Sequence, residues 1–154
     1  RCKATASLAN FCSSSQVLRY QKRLSGPLLD RIDIHIDVPA VKVEKLVEDS
    51  DDAESSIDVR KRVVKALSRQ RKRFLGKKII INSEMSARDL KELLNIEDEA
   101  KNIMKSAMKT LSLSARSFNK VLKISRTIAD LENSAVVKPA HVLEALQYRP
   151  KTVE

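Results

Sequence analysis

The sequence has 154 residues, with 30 Lys and Arg against 20 Asp and Glu, a net charge of +10, and only two glycines and two cysteines. That length holds one ordinary domain, or one small domain with part of another. Two glycines exclude a loop-rich all-β protein and most phosphate-cradling loops, and Cys2, Cys12, His35 and His141 fit no metal-ligand spacing, so no metal site is expected.

Residues 1–15, with Ser13-Ser14-Ser15, read as a weakly structured segment. Gln16–Leu24 is basic and carries Val17, Tyr20 and Leu24 on one side, the pattern of a short helix. Gly26-Pro27 predicts a turn, because Gly tolerates angles other residues avoid and Pro fixes φ. From Ile32 the sequence alternates: Ile32, Ile34, Ile36 and Val38 against Asp33, His35 and Asp37. That is a strand over about 31–38, closed by Pro39. Arg31 sits where loop becomes strand, so its guanidinium projects from a fixed backbone. Residues 41–55, acidic from Glu48 to Glu54, read as a linker.

Helices follow. Ser55 or Ser56 caps one over about 56–75, with Asp58 in its first turn and Gly76 as its stop. Val59, Val63, Leu67 and Phe74 form its inward stripe, with Ile57 and Val64 beside it. Its outer face carries Arg60, Lys61, Arg62, Lys65, Arg69, Arg71, Lys72 and Arg73. Ile79-Ile80-Ile81 is extended or a brief strand. Ser86 and Asp89 form a capping box for a short helix through Leu94, with Leu90, Leu93 and Leu94 buried. The helix from Glu97 to Leu111 has the clearest 3.6-residue stripe: Ala100, Ile103, Met104, Ala107, Met108 and Leu111. Ser114 caps a helix to Leu131, with Phe118, Val121, Leu122, Ile128 and Ala129 inward. Pro139 opens the last helix, whose apolar edge is Val142, Leu143 and Leu146; residues 150–154 are a tail. Aromatic content is only 3%, with no Trp, which points to an aliphatic core of packed helices.

No G-x-x-x-x-G-K-[ST] loop, Walker B strand or nucleophile–base arrangement is present. Asp30 and Asp33 flank Arg31 and serve better to orient it than as acid and base. Two arginines stand out. Arg31 lies at a turn-to-strand junction, and Arg116 lies in the first turn of a helix, against the helix dipole. A charge of +10 suits a polyanionic partner, and equally a merely basic surface. If the partner is nucleic acid, Arg60, Arg62, Arg69 and Arg73 are the candidate contacts. No run approaches the ~20 apolar residues of a membrane span, and no signal-peptide core is present, so a reduced, cytoplasmic protein without membrane contact is expected. The start on Arg rather than Met suggests an excised piece.

Ser25-Gly26-Pro27-Leu28-Leu29-Asp30-Arg31-Ile32-Asp33-Ile34-His35-Ile36-Asp37-Val38-Pro39 resembles a segment of magnesium-chelatase-like AAA+ ATPases of the ComM/YifB type. Leu113–Leu131 and His141–Arg149 resemble later segments of the same family, in the same order. The similarity covers about Gln16 to Arg149. It departs from the family in lacking the Walker motifs, sensor 1 and, Cys12 apart, the Cys-rich stretch upstream.

The resemblance implies a mainly α fold: the terminal strand and turn of an AAA+ α/β core over 16–40, then a helical-bundle lid over 56–149. It implies that Arg31 is an arginine finger acting in trans, and that Arg116 is the sensor-2 arginine. It implies ATP and Mg2+ in the full-length protein with none expected in this piece, which should be inactive alone. It implies a homo-oligomeric ring and remodelling, with DNA as one candidate substrate. The alternative from the residues alone is a basic helical nucleic-acid-binding or protein-interaction module without nucleotide chemistry.

Overall fold

A computed structural model describes residues 15–16, 19, 26–29, 31–39 and 54–149. The chain divides into two compact units, residues 1–53 with 150–154, and residues 54–149. The segments expected over 1–15 and 41–55 lie outside the described residues apart from Ser15, Glu54 and Ser55, and the 150–154 tail lies wholly outside them. Of the helix expected over 16–24, Gln16 and Arg19 are described, and both are helical.

In the first unit, Gly26–Leu29 form a single helical turn. Pro27 fits there because a first-turn N–H has no intrahelical acceptor to lose. The Arg31 N–H donates to Leu28 O at 3.0 Å and the Ile32 N–H to Leu29 O at 3.1 Å, so Arg31 is tied by hydrogen bonds to that helical turn. The strand expected over 31–38 is not formed among the described residues: Ile32 and Ile34–Pro39 carry no assigned structure and Asp33 is a bend. Alternation supplies a strand's two faces, but a ladder also needs a partner strand's N–H and C=O groups. The four apolar residues are accordingly exposed, from 47% at Ile32 to 86% at Val38.

The second unit is helical throughout. Its elements are α1 (Ser56–Arg73), a 3-10 turn (Asn82–Glu84), α2 (Ala87–Leu93), α3 (Asp98–Thr110), α4 (Ala115–Leu131) and α5 (Pro139–Gln147). Local caps start three of them. The Asp58, Asp89 and Ser117 N–H groups donate to the hydroxyls of Ser55, Ser86 and Ser114. Each satisfies one of the orphan donors of a helix start. At α2 the box is reciprocal, because the Ser86 N–H donates to the Asp89 carboxylate at 2.8 Å.

Two helix ends are closed by backbone turns of one kind. After α4, the Ser134 N–H reaches Ala129 O at 2.8 Å and the Asn133 N–H reaches Asp130 O at 3.3 Å, with Asn133 at φ 64°. This is a Schellman closure, and Asn tolerates its left-handed residue better than most. After α3, Ser112 at φ 46° plays the same part, with the Leu113 N–H on Met108 O at 3.2 Å. A parallel bridge between Ile96 and Val137 ties the loops that precede α3 and α5.

The core is Phe74, Met85, Leu90, Ala100, Met104, Val121, Leu122, Ile128, Ala129, Val137, Val142 and Ala145. Helix α4 packs on α1, α2 and α5, and α5 also packs on α3. Several expected inward residues face out instead. Ile57, Val59, Val63 and Val64 are exposed on the first half of α1, which runs beyond the core. The buried side of α1 is Ala66, Gln70 and the capping Phe74, with Leu67 half-buried. Met108 and Leu111 at the end of α3, and Leu143 on α5, are exposed as well. Periodicity marks a helix's apolar side but not how far along its length a neighbour covers it. Ile79 is half-buried, Ile80 exposed and Ile81 extended, with no strand formed.

Candidate functional site

Helix α4 carries the two features that matter most, one at each end. At its start, Ser114 is the cap: its hydroxyl accepts the Ser117 N–H at 3.1 Å and lies 3.0 Å from the Ser117 hydroxyl. Arg116 is the second residue of the helix and is exposed. A guanidinium there opposes the partial positive charge of the helix start, by roughly 0.3–1 kcal/mol. First-turn N–H groups and a guanidinium at one helix end are groups that favour an anion.

At its other end α4 carries Asp130, fully buried. One of its carboxylate oxygens, Oδ2, accepts from Arg73 Nη1 and from Asn82 Nδ2, both at 2.9 Å. The other, Oδ1, accepts from Arg126 Nη2 at 2.9 Å and from Arg73 Nη2. Arg73 thus grips the carboxylate with both prongs of its fork, the geometry in which Arg binds a carboxylate best. Arg69 Nη1 donates to the Asp130 carbonyl at 2.6 Å. Around this centre, Arg73 Nη1 also donates to Asn82 Oδ1 at 2.9 Å, Asn82 Nδ2 to Thr127 Oγ1 at 3.1 Å, and the Asn82 N–H to Gln70 Oε1 at 2.9 Å.

Arg126, one turn before Asp130, is also buried. It donates to Ala135 O at 2.9 Å and to Ser134 O, both carbonyls being turned back over the helix by the Schellman closure. Burial raises the Asp130 carboxyl's pKa, and the hydrogen bonds from Arg73 and Asn82 with the two guanidinium charges more than reverse this, leaving it below the ordinary carboxylate value. Burial lowers the Arg126 pKa, while Asp130 supports its charge.

A second buried polar contact lies nearby in sequence. His141 Nδ1 accepts the Lys138 N–H at 2.9 Å, which leaves the proton on Nε2, 2.8 Å from Glu132 Oε2. His141 therefore closes the start of α5 in place of a capping carboxylate.

The structure separates the arginines singled out from sequence. Arg31 is exposed in the first unit, in the turn after Leu29. Arg60 and Arg62 are exposed on the first half of α1, Arg62 paired with Glu54 at 2.8 Å. Arg69 and Arg73, expected on the solvent face as nucleic-acid contacts, turn inward to Asp130 instead. Arg73 lies three residues after the buried Gln70 and Arg69 three after the buried Ala66, so both border the inner face of the helix, where the Asp130 carboxylate receives Arg73 and its carbonyl receives Arg69. Sequence reasoning missed Asp130, Asn82, Arg126 and His141. The signal within reach was Arg126 four residues before Asp130 on an otherwise apolar helix face. Among the described residues no group of three His, Cys, Asp or Glu could hold a metal ion, and no helix is long and apolar enough to cross a membrane.

The family model described as "Magnesium chelatase, subunit ChlI C-terminal" matches residues 53–149, and that described as "Magnesium chelatase, subunit ChlI" matches residues 1–46. Competence protein ComM of Haemophilus influenzae is 37% identical over 140 residues, 91% of this chain and 27% of ComM. The uncharacterized protein YifB is 35% identical in Salmonella typhimurium and 34% identical in Escherichia coli, with the same coverage of each chain. The chain thus spans 27% of the length of these relatives.

Proposed function

This chain belongs to the magnesium chelatase ChlI C-terminal family, and on that premise we propose that it supplies the arginine finger and helical lid of an AAA+ ATPase. The whole protein binds ATP and Mg2+, assembles as a homo-oligomeric ring in the cytoplasm, and couples hydrolysis to remodelling, with DNA as one candidate substrate. Arg31 acts in trans on the nucleotide of the neighbouring subunit. Arg116 acts as the lid's sensor, reading the phosphates of its own subunit's nucleotide.

The observation that carries this reading is the setting of Arg116. It is exposed in the first turn of α4, a 17-residue helix anchored at its far end in the core, beside the Ser114 cap. An arginine on a rigid lid helix couples the lid's angle to whether a phosphate is present. Arg116→Ala in the complete protein is expected to weaken ATP binding and to lower turnover by about 10²–10³-fold, the cost of losing one aimed donor at a developing charge. Fluorescent-nucleotide titration and steady-state turnover measure the two effects. Unchanged values in a folded variant would remove Arg116 from the nucleotide site.

A second reading rests on the exposed cations of α1: Arg60, Lys61, Arg62, Lys65, Arg71 and Lys72. Direct DNA binding through about four of them predicts a log–log salt slope of about −3 to −4 in an anisotropy titration, and Arg60→Ala should shift that slope by about 1. Affinity that ignores salt would eliminate α1 as a DNA contact. Arg69 and Arg73 do not belong to this face, since both are held by Asp130.

A further inference from the structure

Helix α1 is the first element of the second unit, beginning just beyond the boundary at residues 53 and 54. What links α1 to α4 in polar terms is the Asp130 cluster: Arg69, Gln70 and Arg73 from α1, Asn82 from the 3-10 turn, and Thr127, Arg126 and Asp130 from α4. Lys123 extends the attachment, donating to Ser83 O at 2.7 Å. These α4 residues, 123, 126, 127 and 130, fall at helical spacing along its second half.

We propose that Asp130 is a positioning residue: it locks the second half of α4 to α1 and so sets where Arg116 stands. The inference rests on the nucleotide-sensing reading of Arg116 and adds the part of the lid that aims it. Geometry gives the lock its leverage. Arg116 lies about 20 Å along α4 from Asp130, so a tilt of about 10° at the lock moves it by about 3–4 Å, beyond hydrogen-bond reach of any fixed partner. Apolar packing alone tolerates such small slides between helices. A carboxylate accepting four hydrogen bonds with both oxygens does not, because each displaced donor leaves a buried polar atom unsatisfied.

The test is turnover by the complete protein with Asp130→Asn, Arg116→Ala and the double variant. Asp130→Asn keeps the shape but loses the charge that holds both guanidiniums. It is expected to lower turnover by about 10–100-fold, as a displacement of about 1 Å near a reacting group does. Because Asp130 acts through Arg116, the double variant should lose no more than Arg116→Ala alone, whereas a general loss of structure would add to it. If Arg116→Ala leaves turnover intact, the reading of Arg116 fails whatever Asp130 does. If Arg116→Ala is impaired while folded Asp130→Asn is not, or if the two losses add, the positioning role fails. Should Asp130→Asn not fold, Arg73→Lys, which keeps the charge and loses the fork, is read by the same criteria.

Discussion

Arg31→Ala in the complete protein is expected to lower the rate of ATP hydrolysis by about 10³–10⁵-fold while leaving ATP affinity nearly unchanged. An arginine finger meets the charge that builds on the transferring phosphoryl oxygens, so its contribution appears in the transition state and hardly at all in the bound ground state. Two features of the residue suit this role. Arg31 is exposed, and its backbone is held by the Arg31 and Ile32 N–H bonds to the single helical turn at Gly26–Leu29. A side chain leaving a hydrogen-bonded corner loses less freedom on docking than one leaving an open loop. A finger acting in trans makes a second result obligatory. Subunits carrying Arg31→Ala, mixed with subunits whose own nucleotide site is disabled, should regain turnover, since each supplies what its neighbour lacks. Absence of recovery in mixed oligomers would place Arg31 on its own subunit's nucleotide or outside the site.

Asp130→Ala in this chain is expected to cost about 3–5 kcal/mol in denaturant unfolding, the penalty for leaving a buried charge without its partner. Against a domain's total stability of about 5–15 kcal/mol, that is a large share. Removing Asp130 leaves the charge of Arg126, which has a 2% exposed side chain, with only the Ser134 and Ala135 carbonyls, and leaves the fork of Arg73 with only Asn82 as a hydrogen-bond acceptor. The control is Arg88→Ala, which breaks an exposed pair with Glu92 at 2.7 Å on α2 and is expected to leave the unfolding midpoint nearly unchanged, because solvent screens that pair. Equal losses from the two substitutions would mean that the Asp130 cluster is solvated in solution.

Acid should act on the same cluster in a defined direction. The folded Asp130 carboxyl titrates below its ordinary value, so its contribution is fully present above the unfolded pKa of about 3.9 and is lost as pH falls through the lower folded value. The stability gap between the wild-type chain and Asp130→Asn is therefore expected to be constant from neutral pH to about pH 5 and to narrow below about pH 4. Unfolding curves over that range measure it.

Helix starts were legible because their chemistry is local. A Ser hydroxyl and an N–H three residues on decide the cap, and Ser55, Ser86 and Ser114 are all used as caps. The buried stripe of α3 at Ala100, Met104 and Ala107 was legible for the same reason, since one helical period brings those residues together. The strand at 31–38 was not decided by its alternation, because pairing depends on groups elsewhere. Nor was the inner face of α1 decided by its valines. Arg73 and Asp130 are 57 residues apart, and no window of periodicity spans them.

The positions of the five helices of the second unit were written into the sequence, because caps, turns and apolar spacing act over three or four residues. Which cations turn inward and which stay at the surface depended on contacts between distant parts of the chain. A guanidinium turns inward where desolvated acceptors await it: the Asp130 carboxylate receives Arg73 and Arg126 and its carbonyl receives Arg69, while Arg31 and Arg116 stay exposed.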